Sequence, residues 1–189
     1  MCGRYQFTTK SDDMTAAIVD MLDKRYPGEY KTGEIFPGDA APAVISDRGR
    51  IVAVPAIFGF PGYQDGKLII NARSETAAQK PTFSESLRER RIILPASGFY
   101  EWSRDAKKTK YYFTVGEEGL IYLCGVYKIV DGQYRFAILT RDANETMIET
   151  HDRMPIIIGK EAVRPYLNDY EKAMALIAEA SPTLSRETA

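Results

Sequence analysis

From residue 50 to residue 140, short apolar runs rich in β-branched and aromatic residues alternate with turn signals. RIVAVPAIF, KLIIN, RIILPASGFYEW, KYYFTV, LIYLCGVYKIV and YRFAILT each have the length and composition of a strand, and DGK and DGQ mark turns between them. Such close spacing predicts a largely antiparallel or mixed sheet, curled towards a barrel, over repeated βαβ units. Helical periodicity appears in SDDMTAAIVDMLDKR, residues 11–25, where Met14, Ala17, Ile18, Met21 and Leu22 share one stripe. Ser11 suits the N-cap there, and Asp12 and Asp13 suit the positive end of the helix dipole. TFSESLRER and NDYEKAMALIAEA, residues 168–180, read as further helices. Residues 26–44 are rich in Gly and Pro and predict a long shaped loop leading into short strands. The last residues, 181–189, read as a flexible tail. No repeat or linker divides the chain, so the expectation is a single α+β domain over residues 1–189, with a barrel-like, mostly antiparallel or mixed sheet flanked by helices.

Composition narrows the function classes. The 189 residues can bury a substantial core, and 44% hydrophobic with 27% charged residues is ordinary for a globular protein. A net charge of −1 gives no whole-molecule attraction to a polyanion, so nucleic-acid binding would need a local basic patch. No apolar run approaches the length of a membrane span, and no leader pattern opens the chain, so a cytoplasmic protein is expected. Two cysteines, Cys2 and Cys124, and one histidine supply neither a disulfide framework nor a usual zinc site. No metal or cofactor is therefore expected. Cys124, inside LIYLCGVYKI, reads as a small core residue.

Four polar patches stand out against this background. In MCGRY, Cys2 follows the initiator methionine, whose removal would expose an α-amine and a thiol on adjacent carbons. Such a pair can capture an aldehyde as an imine and then close a thiazolidine ring, which an internal cysteine cannot do. In INARSET, Asn71 and Arg73 share one face of a strand end, placing an amide beside a guanidinium able to bind phosphate. In PASGFYEW, Glu101 lies between Tyr100 and the only tryptophan, Trp102, and a carboxyl among aromatic rings is suited to carrying protons. In THDRMP, the sole histidine, His151, has the side chain best suited to proton transfer near neutrality. Each patch alone has an ordinary alternative: a frayed terminus, a turn, a surface strand or a structural histidine.

Taken together and in this order, MCGRY, NARSET, LPASGFYEW and THDRMP resemble the SRAP family, the SOS response-associated peptidases, whose known members shield abasic sites in DNA. The resemblance implies that Cys2 forms the covalent thiazolidine crosslink to the ring-opened sugar. It implies that Asn71 positions the amine or sugar, that Glu101 transfers protons during imine formation and methionine removal, and that His151 assists sugar ring opening. Arg4 and Arg73 are the implied phosphate ligands, with Arg153 and Thr140 in matching motifs. Many members carry a tryptophan where this chain reads AIFGF, so Phe58 or Phe60 is expected to stack against DNA in its place.

The implied partner is single-stranded DNA containing an abasic site, engaged by a monomer that is nucleoid-associated when bound. AP-lyase strand cleavage through a retained amine is a possible second activity. The rival readings are a cysteine peptidase acting on other proteins through Cys2 and His151, and a non-covalent single-stranded DNA binder. Turnover of unrelated peptides marks the first, and equal affinity for intact and abasic DNA marks the second.

Overall fold

The computed structural model describes residues 2–9, 13–64, 66–116 and 120–189. Met1, Ser11, Asp12 and the aspartate of the DGK turn lie outside the described residues. The strands are β1 (Arg4–Phe7), β2 (Gly33–Ile35), β3 (Ala40–Asp47), β4 (Arg50–Phe58), β5 (Phe60–Pro61), β6 (Leu68–Ile69), β7 (Asn71–Arg73) and β8 (Arg91–Ala96). They continue with β9 (Gly98–Trp102), β10 (Lys110–Thr114), β11 (Ile121–Val130), β12 (Gln133–Asp142), β13 (Arg153–Pro155), β14 (Ile157–Ile158) and β15 (Ser185–Thr188). The α-helices are α1 (Asp13–Arg25), α2 (Ser74–Ala77), α3 (Ser84–Glu89), α4 (Val163–Asn168) and α5 (Tyr170–Ala178).

Strands β12, β4, β3, β8 and β11 pair in sequence, and β11 pairs back onto β12, so this sheet closes into a ring. The pairings are antiparallel except where β12 runs parallel to β4 and to β7. A second sheet has the order β15-β10-β9-β1-β2. The mixed, barrel-like sheet expected from the strand spacing is thus present, with helices packed on its outside.

Closure explains why several strands read as continuous apolar runs. All six residues of β8 are buried. Ile92, Leu94 and Ala96 face the core shared with Phe58 and Phe136, while Ile93 faces the core under the helices with Ile18, Leu22 and Tyr166. Cys124 is fully buried in the second core, as its apolar setting implies.

A single residue, Ser97, separates β8 from β9, so one length of chain leaves the barrel and enters the second sheet. Gly98 lets β10 pack closely across the start of β9. A Cβ there would lie 2.4 Å from the Tyr112 ring and 2.6 Å from the Phe113 carbonyl, so no larger residue fits. Beyond the bend Phe99 and Glu101 face inward and are buried, and Tyr100 and Trp102 face outward.

The structure departs from the sequence pattern in three places. Helix α1 buries Thr15, Ile18 and Leu22, whereas Met21 is exposed, so the buried stripe is rotated from the expected one. Tyr122 reaches the helix edge and donates its hydroxyl to Met14 Sδ. The expected tail is also ordered: β15 pairs antiparallel with β10, matching Tyr111 to Thr188 and Thr114 to Ser185. Its four residues are all exposed, so it is held by backbone pairing, which leaves no hydrophobic signal. Finally, Phe58 and Phe60 are core residues. Phe58 is fully buried and stacks on Phe136 with ring centroids 4.9 Å apart, and Phe60 is 2% exposed.

Phe58→Ala should therefore cost about 3–5 kcal/mol of stability, as for large aromatic truncations in cores, while leaving affinity for single-stranded DNA unchanged. Chemical denaturation and fluorescence anisotropy measure the two quantities. Lost affinity at unchanged stability would return Phe58 to the DNA surface.

Candidate active site

Strand β1 lies between β2 and β9, with Arg4 opposite Tyr100 and Tyr5 opposite Phe99. This pairing holds the start of the chain where Cys2 is fully buried, between the barrel and the second sheet. Asn71, the first residue of β7, sits opposite Ile138 of β12 and donates its Nδ2–H to the Cys2 carbonyl at 3.0 Å. The other amide atom, Oδ1, is buried and has no hydrogen-bond partner among the described residues. A buried acceptor in that state is suited to an incoming amine or hydroxyl.

Glu101 comes in from β9 on the inner face and is 6% exposed. Its Oε1 accepts the Trp102 backbone N–H at 3.3 Å. Burial pushes the Cys2 thiol well above the ordinary cysteine range, and the Glu101 charge pushes it further the same way. The same carboxylate acts on His151. Cys2, Asn71, Glu101 and His151 therefore converge from β1, β7, β9 and the turn before β13.

His151 Nδ1 accepts the Arg153 backbone N–H at 2.9 Å, a contact that favours the neutral ring protonated on Nε2. Asp152 Oδ1 also lies 3.0 Å from Nδ1, a contact that becomes favourable only when Nδ1 is protonated. Burial lowers the imidazole pKa; Glu101 and Asp152 oppose that fall, and Arg104 adds to it. Arg104 also pairs with Asp152 at the rim and holds that carboxyl below its usual range.

Neither the pairing of Arg104 with Asp152 nor its reach to the imidazole is predictable from THDRMP, because Arg104 lies in a different sequence segment. No group of three or more His, Cys, Asp or Glu able to hold a metal occurs among the described residues.

Against this geometry, the family model described as SOS response associated peptidase (SRAP) matches residues 1–187. The chain belongs to this family. Among its curated relatives, the abasic site processing protein YoaM of Bacillus subtilis is 32% identical, covering 95% of this chain and 87% of its own. The abasic site processing protein YedK of Escherichia coli is 28% identical over 88% of this chain and 79% of its own. In fold, a solved protein from Bordetella bronchiseptica is similar with a TM-score of 0.77 at 19% identity, covering 100% of this chain and 99% of that one.

The residues that the SRAP resemblance assigns to DNA fall into two groups. Arg4 and Arg73 are at the surface. Arg4 lies over the rings of Phe36 and Trp102, at 4.3 and 4.9 Å from their centroids, and pairs with Glu34 at 3.4 Å. Arg73 is exposed and makes no side-chain hydrogen bond or ion pair among the described residues. Phe58, Thr140 and Arg153 are instead interior. Thr140 is fully buried in β12. Arg153 is 7% exposed, and its guanidinium is engaged by Glu75, Asp142 and the Thr140 carbonyl.

Burial of a neutral imidazole has a stability consequence. The folded pKa of His151 lies below 6.5, so the unfolded chain binds more protons in the window between the two values. Stability is present above that window and is lost as pH falls through it. Asp152 is held low by Arg104 and titrates below the window. Between about pH 7 and about pH 5 the thermal midpoint should fall more steeply for the wild type than for His151→Gln. Parallel curves would contradict the burial of a neutral ring.

Proposed function

We propose that this protein shields abasic sites in single-stranded DNA by a covalent thiazolidine crosslink through Cys2, after removal of Met1. The observation that carries the reading is the enclosure of residue 2 by Asn71 with Glu101 and His151 in range, in a chain whose relatives are named abasic site processing proteins. An abasic site supplies an aldehyde at C1′ of its ring-opened sugar, and no base occupies the space in front of it.

The electrostatics favour an order of events. A buried thiol beside a carboxylate resists ionisation, which disfavours opening the reaction with a thiolate. An α-amine with a reference pKa of about 7.7–8.0 has a useful neutral fraction near neutrality. The amine of Cys2 therefore attacks C1′ first. The N–C bond forms, the carbonyl oxygen leaves as water, and an imine results. Asn71 Oδ1, buried and without a hydrogen-bond partner among the described residues, is the acceptor assigned to the amine in this reading. Neutral His151, with its proton on Nε2, can donate to sugar oxygens, and Glu101 moves the proton released by nitrogen. The thiol then adds across C=N: sulfur bonds to carbon, and its proton passes to the ring nitrogen. The net change is loss of one water.

Removal of Met1 is hydrolysis of the Met1–Cys2 peptide bond, by an aminopeptidase or by Cys2 and Glu101 themselves. Arg4, flanked by aromatic rings, and exposed Arg73 supply the local cations for the phosphates beside the lesion. The same thiol argument weighs against a peptidase acting on other proteins, which needs a ready thiolate. A retained amine could also support β-elimination of the strand as a secondary lyase activity.

Cys2→Ala should abolish the heat-stable adduct with an abasic oligonucleotide on denaturing gels while keeping most of the affinity for intact single strands. The variant should still yield a borohydride-trapped imine. Full heat-stable crosslinking by Cys2→Ala would overturn the assignment.

A further inference from the structure

The proposed chemistry needs Asn71 and His151 at a fixed separation, yet they stand on segments that share no strand pairing. β7 lies along β12, with Arg73 opposite Thr140. β13 also pairs with β12, with Pro155 opposite Thr140 and Arg153 opposite Asp142. One side chain spans the two. From β13 the Arg153 guanidinium extends to α2, where its Nη1 and Nη2 meet Glu75 Oε1 and Oε2 at 2.8 and 2.9 Å. On the way Nη2 donates to the Thr140 carbonyl at 2.8 Å, and Nη1 meets Asp142. At its other end the backbone N–H of the same arginine holds His151 Nδ1.

Glu75 is four residues beyond Asn71, in a four-residue helix with no side-chain cap, so the helix has little means of holding itself in place. We propose that Glu75 and Arg153 form a brace that sets the placement of Asn71 against His151, making both positioning residues for the crosslinking reaction. The inference rests on the abasic-site reading for its function, and on the forked ion pair for its geometry. A buried guanidinium held by two carboxylates is already neutralised, which makes it a poor phosphate ligand. Arg is also the residue the geometry requires, because a lysine has no fork to match both carboxylate oxygens.

The test uses the full-length chain with Glu75→Gln and Arg153→Lys, assayed well below their measured thermal midpoints. Three quantities are read: affinity for intact single-stranded DNA with its salt dependence, the single-turnover crosslinking rate at saturating abasic oligonucleotide, and the ¹⁵N shifts of the only imidazole in the chain. The brace predicts affinity within threefold of wild type for both variants and a crosslinking rate at least tenfold lower. It also predicts that the imidazole departs from the single Nε2–H tautomer, although Glu75 lies across β12 from His151.

Tighter DNA binding with a steeper salt slope in Glu75→Gln would mean that the released guanidinium takes a phosphate, and would overturn the proposal. So would wild-type crosslinking rates in both variants. A wild-type protein that forms no adduct would sink the abasic-site reading alone, since the imidazole shifts still decide whether the brace positions the ring.

Discussion

Everything at the candidate site depends on the antiparallel pairing of β1 with β9, Arg4 opposite Tyr100. Chain termini are normally the least ordered part of a domain. Here β1 is an interior strand of its sheet, with Tyr5 and Phe7 fully buried, so residue 2 is held as firmly as the core. The partner strand is itself aimed by the bend at Ser97 and Gly98, where the chain leaves the barrel. That bend turns Glu101 inward, toward Cys2, and Trp102 outward, beside Arg4. One backbone feature thus sorts a carboxylate to the inside and a cation–aromatic surface to the outside.

The chemistry follows from what burial does to each group. The thiol is driven toward its neutral form, and the imidazole is driven the same way. In the proposed crosslink, a neutral thiol favours opening attack by the amine over attack by a thiolate. The rim carries the charges. Arg104 and Asp152 pair with each other at the rim beside His151, and exposed Arg73 is available to a polyanion.

Much of this was legible in the sequence, for physical reasons that differ by residue. The strand runs could be read because closure buries both faces, which turns alternation into continuous apolar stretches such as that of β8. Glu101 stood out because a carboxyl lies between Tyr100 and Trp102, but that the two rings face outward and the carboxylate inward is visible only in the fold. β15 was hidden because an exposed edge strand is held by its backbone. The rotation of α1 was hidden because Thr15 packs inward and Met21 does not. Arg153 shows the largest gap. A charged residue two positions from a histidine suggests a ligand-facing surface, and only the fold reveals that Glu75, 78 residues away, encloses it. The buried state of Phe58 was hidden likewise, since its stacking partner Phe136 lies on a distant strand.

The central claim is that the residue enclosed at the start of β1 is the reactive terminus. Intact mass spectrometry tests it most directly, comparing the purified protein before and after incubation with a short single-stranded oligonucleotide bearing one abasic site. The account predicts a chain lacking Met1, converted to a heat-stable species with the mass of protein plus DNA minus one water. A chain that lacks Met1 yet stays at its own mass would contradict it.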